Sequence, residues 1–233
     1  MIFWTPIFFF LNKQDRWKVV KLWGYSHLWL QHKICNNSYD FRGIEKIPAS
    51  GSMLVAGKHQ SAWDTYTLVL FFDDPAFVLK RGLMYIPLFG WYLQRMKSVP
   101  VDRGRGSVAL ASMTKNARQL MAQDDRQIII YPEGTRKIPG AKPQYKYGIT
   151  HLYLKLGKPT VPFALNSGLF WSRHSFLRYP GTITLEFLDP IVPGLAKDRF
   201  SKRLQETIEK RCNALMREAA QNGNSSPLAL QFL

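Results

Sequence analysis

The stretch GKHQSAWDTY, residues 57–66, carries an imidazole and a carboxylate with four residues between them, His59 and Asp64. A carboxylate bonded to one ring nitrogen fixes the tautomer of a histidine and stabilises its imidazolium while the other nitrogen takes a proton. On a regular helix these two positions would point roughly 140° apart and would not meet. Ser61 and Asp64 have the spacing of a capping box, however. That starts a helix at Ser61 and leaves His59 in the preceding loop, from which its ring can fold back over the first turn. Read alone, Asp64 is equally an ordinary helix cap and His59 one of five histidines. The pair also lacks a nucleophile from the protein, a gap that a substrate hydroxyl would fill.

Two further segments carry candidate binding chemistry. YPEGTR, residues 131–136, follows the apolar run QIIIY and puts a Pro-Glu-Gly turn at the carboxyl end of a strand, where open α/β sheets bind ligands. Gly134 permits close backbone approach, Thr135 and Arg136 offer donors, and an arginine engages phosphate oxygens bidentately. VPVDRGRGS, residues 99–107, runs from a strand through a glycine-spaced loop into a helix, with Arg103 and Arg105 beside the positive helix end. Gly104, Gly106 and Ala109 also satisfy a loose dinucleotide fingerprint. The acid that should end the next strand is displaced, since Asp124 and Asp125 precede QIIIY, and this argues against nicotinamide binding.

An alternation of strands and helices must hold these loops. The pattern predicts strands at Met53–Ala56, Ala76–Leu79, Ser98–Val101, Gln127–Tyr131, Thr160–Leu165 and Thr182–Leu188, with a short strand and loop earlier, between residues 36 and 51. Helices are expected from Ser61 to Phe72, Ser107 to Gln123, Tyr147 to Leu156 with Gly157 as its stop, and Asp198 to Gln221, the last with Phe200, Leu204, Ile208 and Leu215 on one face. The continuous apolar run QIIIY is what a sheet covered on both faces requires. The fold class is therefore α/β, with a largely buried central sheet flanked by helices.

Composition narrows the partners. The chain has 233 residues, 32 Lys plus Arg against 16 Asp plus Glu, and a formal charge of +16, which points to a polyanion: nucleic acid, anionic lipid or a phosphorylated substrate. Cys35 and Cys212 form neither a metal-binding spacing nor a disulfide framework. IFWTPIFFFL, residues 2–11, is too short to span a bilayer. RWKVVKLWGYSHLWLQHK, residues 16–33, interleaves tryptophans with Arg16, Lys18, Lys21 and Lys33, a mixture suited to a headgroup interface, and a buried N-terminal segment is the plainer alternative.

Together KHQSAWD, VPVDR, YPEGTR and KPTVPFAL, in this order, resemble the four blocks of the glycerolipid acyltransferase family, the lysophosphatidate acyltransferases and their relatives, over about Asp40 to Pro193. The resemblance implies His59 as general base, Asp64 as its orienting partner, and Arg103, Glu133, Gly134, Thr135 and Arg136 as the site of the glycerol-phosphate acceptor. Pro162 matches the fourth block. Lys80 is implied as a donor to the thioester oxyanion, with Lys58 and Arg81 as competitors. The implied reaction moves an acyl chain from acyl-CoA or acyl-carrier protein to the sn-2 hydroxyl of 1-acylglycerol 3-phosphate, with no metal or redox cofactor. Rival readings are another lysolipid acceptor, and a non-catalytic protein binding a membrane surface or nucleic acid. The intact blocks argue against the non-catalytic reading, and no nucleic-acid partner is expected. The organisation expected is a membrane-interfacial helical hairpin at 1–36, an acyltransferase α/β domain at 37–222 and a flexible tail at 223–233. The hairpin would place Phe8, Phe9, Phe10, Trp17, Trp23 and Trp29 among acyl chains. The protein would then sit, monotopic, on the cytoplasmic face of an anionic membrane.

Overall fold

The computed structural model describes residues 5–102, 104–221 and 226–232; Ile2 to Trp4 of the expected hairpin and the candidate Arg103 lie outside them. The elements run α1 (Thr5–Phe10), α2 (Lys13–Cys35), β1 (Asn37–Arg42), β2 (Met53–Gly57), α3 (Trp63–Leu68), β3 (Pro75–Lys80), α4 (Phe89–Arg95), β4 (Val99–Val101), α5 (Gly106–Gln123), β5 (Gln127–Ile130), α6 (Tyr147–Leu156), β6 (Thr160–Leu165), β7 (Gly181–Phe187) and α7 (Lys197–Gln221). Seven strands form one sheet in the order β1-β7-β6-β2-β5-β3-β4. All neighbours are parallel except β6 and β7, which are antiparallel.

Alternate residues of the central strands feed two separate cores, which is why β2 and β5 read as unbroken apolar runs. Val55, Ile129, Val161 and Phe163 face the layer of α2 and α3. Leu54, Ala56, Ile128 and Ile130 face α5, α6 and α7. The stripe expected on α7 is buried as predicted, with Cys212 added to Phe200, Leu204, Ile208 and Leu215. Gly157, at φ 59°, closes α6 in the left-handed conformation that glycine adopts without steric cost.

The N-terminal aromatics are divided rather than grouped. Phe8 is fully buried, its ring 4.4 Å from that of Tyr92. Trp17 is buried and donates from Nε1 to Asp74 Oδ1 at 3.0 Å, and Trp23 packs against the core beside Tyr66. These three were expected among acyl chains; instead α2 lies along the sheet and needs an apolar stripe of its own to cover it. Phe10 and Trp29 do remain exposed. No helix among the described residues is long and apolar enough to cross a membrane.

Three smaller departures have local causes. The helix expected to reach Phe72 is α-helical only to Leu68 and tightens to a 3₁₀ turn over Val69–Phe71. Helix α4, in a stretch to which the sequence pattern assigns no element, is a single aromatic-rich piece too short to show a period. Residues 226–232, expected as a loose tail, are docked: Ala229 is fully buried in the core under α2 and α3, and the Ser226 hydroxyl donates to the carbonyl of Leu169.

Candidate active site

Register places the candidate groups along one edge of the sheet. Ala56 of β2 is level with Ile130 of β5 and Pro162 of β6, Phe77 of β3 with Ile129, and Lys80 with Val101 of β4. The segments that follow these five parallel strands therefore emerge side by side at their carboxyl ends. They carry His59 after β2, Tyr131 to Arg136 after β5, Lys80 at the end of β3, Asp102 after β4 and Ser167 after β6.

The alternation of the strand continues into the loop and separates two neighbouring side chains. Lys58 turns to the α7 side, where it is buried and its Nζ lies 2.6 Å from Glu209 Oε2. His59 turns to the α3 side. Gly57 is needed just before them: a Cβ there would stand 2.5 Å from both the ring and the carbonyl oxygen of Phe163, its partner in β6. Gly57→Ala is expected to destabilise the fold by about 1–3 kcal/mol through overpacking, read as a lowered thermal midpoint; an unchanged midpoint would show that the two strands part without cost.

Asp64 is fully buried in the first turn of α3 and accepts from four donors. Its Oδ2 receives His59 Nδ1 at 2.9 Å, the backbone N–H of Gln60 at 2.7 Å and that of Ser61 at 2.9 Å. Its Oδ1 receives the hydroxyl of Ser167 at 2.5 Å. The capping box is realised in part: the acid returns to Ser61 as expected, while the Ser61 hydroxyl accepts from Trp63 N at 3.3 Å rather than from Asp64. Asp64 is thus cap and partner at once, one carboxylate serving both.

Because a carboxylate only accepts, Nδ1 of His59 must carry a proton, and in the neutral ring the lone pair is then on Nε2. Nε2 has no protein partner among the described residues, and the side chain keeps 16% of its surface exposed. The ring lies on Tyr131, centroids 3.9 Å apart and planes 13° from parallel. Burial holds the Tyr131 phenol well above its ordinary range, so it stays neutral, and its hydroxyl lies 3.4 Å from Thr65 Oγ1. Carboxylate, stacked ring and backbone leave the imidazole one orientation. Its own carbonyl is fixed as well, accepting from Lys137 N at 2.8 Å.

The YPEGTR turn is built as the sequence suggests. Gly134 has φ 67°, left-handed as a glycine permits, Thr135 is exposed and Arg136 half-buried. No carboxylate lies within ion-pair distance of Arg136 among the described residues. Glu133 points inward: Oε1 accepts from Gln144 N at 3.3 Å, and Oε2 is buried without a hydrogen-bond partner among the described residues. Burial raises its carboxyl above the usual range, opposed by the charge of Lys58. Of the three basic residues considered for the oxyanion, Lys58 is committed to Glu209 and Arg81 to Asp102 at 2.7 Å, while Lys80 is exposed at the end of β3.

Two residues of this arrangement escaped the sequence reading. Ser167 is separated from Asp64 by 103 positions, and nothing in its neighbourhood marks it. Tyr131 was visible as the end of an apolar run and the first residue of YPEGTR, with no role of its own assigned. Gln60, between dyad partners, ties the same strands together by accepting from Gly168 N at 3.0 Å.

Comparison with known proteins gives four findings. A family model described as Acyltransferase matches residues 38–166. The chain is 36% identical over 200 residues to the 1-acyl-sn-glycerol-3-phosphate acyltransferase of Pseudomonas aeruginosa, covering 86% of this chain and 76% of that one. It is 30% identical over 148 residues to the chloroplastic 1-acyl-sn-glycerol-3-phosphate acyltransferase BAT2 of Brassica napus, 63% of this chain but 41% of the plant protein, so it spans well under half of that relative. In fold it is similar to the crystal structure of the 1-acyl-sn-glycerophosphate acyltransferase PlsC of Thermotoga maritima, with a TM-score of 0.75, 21% identity, and coverage of 91% and 87% of the two chains.

Proposed function

The chain belongs to the acyltransferase family, and from that premise we propose that it moves an acyl chain from a thioester to the sn-2 hydroxyl of 1-acylglycerol 3-phosphate, giving phosphatidate. One observation carries the reading: an imidazole at the carboxyl end of the sheet whose Nδ1 is tied to a buried carboxylate and whose Nε2 has no protein partner among the described residues. A serine hydrolase would put its hydroxyl on Nε2. Here the hydroxyl beside the dyad, that of Ser167, donates to Asp64 instead, so the reacting hydroxyl comes from the substrate.

In this mechanism His59 Nε2 takes the proton of the acceptor hydroxyl as its oxygen attacks the thioester carbonyl. Asp64 stabilises the imidazolium. The tetrahedral oxyanion is met by Lys80 or backbone N–H groups. Collapse breaks the C–S bond, and the imidazolium returns its proton to the departing thiolate, so the enzyme ends as it began. Arg136, with the Gly134 and Thr135 backbone and with Arg103, takes the acceptor phosphate, and Glu133 sets the turn from beneath. The donor is acyl-CoA or acyl-carrier protein, and the excess of basic residues serves these anions and an anionic membrane surface alike.

The test is thiol release by purified protein from an acyl thioester against a panel of lysolipids. Lysophosphatidate should be turned over in preference to lysophosphatidylcholine and monoacylglycerol; equal rates on all three would remove the phosphate from the recognition. Arg136→Ala should raise the KM for lysophosphatidate roughly tenfold to a hundredfold, the size of a lost charge-assisted hydrogen bond, and leave the thioester KM nearly unchanged. A rise confined to the thioester would mean that Arg136 serves the donor.

A further inference from the structure

We propose that the loop at residues 171–178 is the surface by which the protein seats its reaction edge on an anionic bilayer. The loop leaves the carboxyl end of β6 and returns into β7, so it stands at the same edge of the sheet as His59. Its base is closed by Tyr179 N donating to Phe170 O at 2.9 Å and Trp171 N to Ser167 O at 2.9 Å. Inside it, Leu177 N donates to Ser175 Oγ at 3.0 Å, and the Arg178 guanidinium lies 3.3 Å over the Trp171 ring while donating to Ser175 O at 3.2 Å. These bonds hold outward two side chains that a soluble surface would hide: Phe176 is 99% exposed and Leu177 64%.

Charge complementarity selects the occupant. The two apolar residues are flanked by Arg173 and Arg178, with the aromatic rings of Trp171 and Tyr179 at the base. Apolar tip, cations behind it and aromatics behind those is the order that acyl chains, lipid phosphates and headgroup region present. The adjoining surface continues it. The C-terminal end of α2 meets this loop, since Asn37 Nδ2 donates to Tyr179 O at 2.7 Å and Gly181 N to Asn36 O at 3.2 Å, and the last turn of α2 exposes Ile34. A small polar partner would leave such a tip in water.

The loop is also joined to the acceptor turn. Arg173 donates to the carbonyl oxygen of Arg136 at 2.7 Å, so the element that would enter the bilayer holds the backbone of the arginine assigned to the acceptor phosphate. This part rests on the reading that the acceptor is a bilayer lipid; the docking surface itself does not.

The experiment is co-sedimentation of the full chain with vesicles of phosphatidylglycerol and phosphatidylcholine. Phe176→Ser with Leu177→Ser should lower the partition coefficient about tenfold or more, while turnover on a soluble short-chain lysophosphatidate is unchanged. Phe176→Trp with Leu177→Trp should restore binding to the level of the native chain. Vesicle binding unchanged by the serine pair overturns the proposal, and so does a tryptophan pair that binds as weakly as the serine pair. Selective loss of turnover with a carrier-protein thioester, vesicle binding being intact, overturns it in favour of a protein partner. Should the native chain turn over no lysophosphatidate at all, the proposed function falls, and the vesicle measurement still decides the docking surface.

Discussion

His59→Ala should lower the turnover number by about 10² to 10⁴ without changing the thermal midpoint appreciably. The size follows from the loss of a positioned base, since an alkoxide must then form against bulk water. The small effect on folding follows from the site: the ring is partly exposed and its one side-chain hydrogen bond among the described residues is to Asp64, which keeps three other donors. Lysophosphatidate affinity should also be retained, because the acceptor phosphate is assigned to the Arg136 turn. Single-turnover thiol release beside a thermal melt checks both halves. More than about a tenth of the native rate remaining would remove His59 from the chemistry.

Asp64 admits a sharper test, because two substitutions should part its two duties. In Asp64→Asn the amide oxygen can replace Oδ2 and accept from Gln60 N, Ser61 N and His59, while the amide nitrogen meets the Ser167 hydroxyl, which can turn to accept. The cap survives; the negative charge that stabilises the imidazolium does not. The rate should fall roughly 10²- to 10⁴-fold with a modest loss of stability. Asp64→Ala leaves buried donors with no acceptor, and unpaired buried groups cost about 1–3 kcal/mol each, so this variant should melt well below Asp64→Asn. If the asparagine variant works at the native rate and only melts early, Asp64 is a cap and no more.

The periodic features were legible. The α7 stripe and the Gly157 stop on α6 follow from local rules, and the strands of the central sheet are apolar runs bounded by turns. The dyad was legible as a possibility, since capping chemistry alone brings His59 back towards Asp64, and the four ordered blocks raised it above chance. What remained hidden is what depends on distant packing. Ser167 reaches Asp64 only because β6 lies next to β2, a fact of sheet order. Trp17 shows a different failure: a lipid interface and a protein core both want an aromatic beside basic residues, and only the seat at Asp74 distinguishes them. The docked residues 226–232 look like a tail because their anchors are small, Ser226 and Ala229.

The opposed directions of Lys58 and His59 make this edge of the sheet sensitive to counting. Side chains leaving a strand alternate with a period of two, so one residue inserted between Gly57 and Lys58 would exchange their destinations. An ammonium would then be offered to Asp64, and an imidazole would be left against Glu209 beneath α7. Chemical similarity of a replacement is thus a poor guide to what this loop tolerates. Its length is held as strictly as its composition, and diversity among working versions of this enzyme should come through exchange of side chains around a loop that never changes its number of residues.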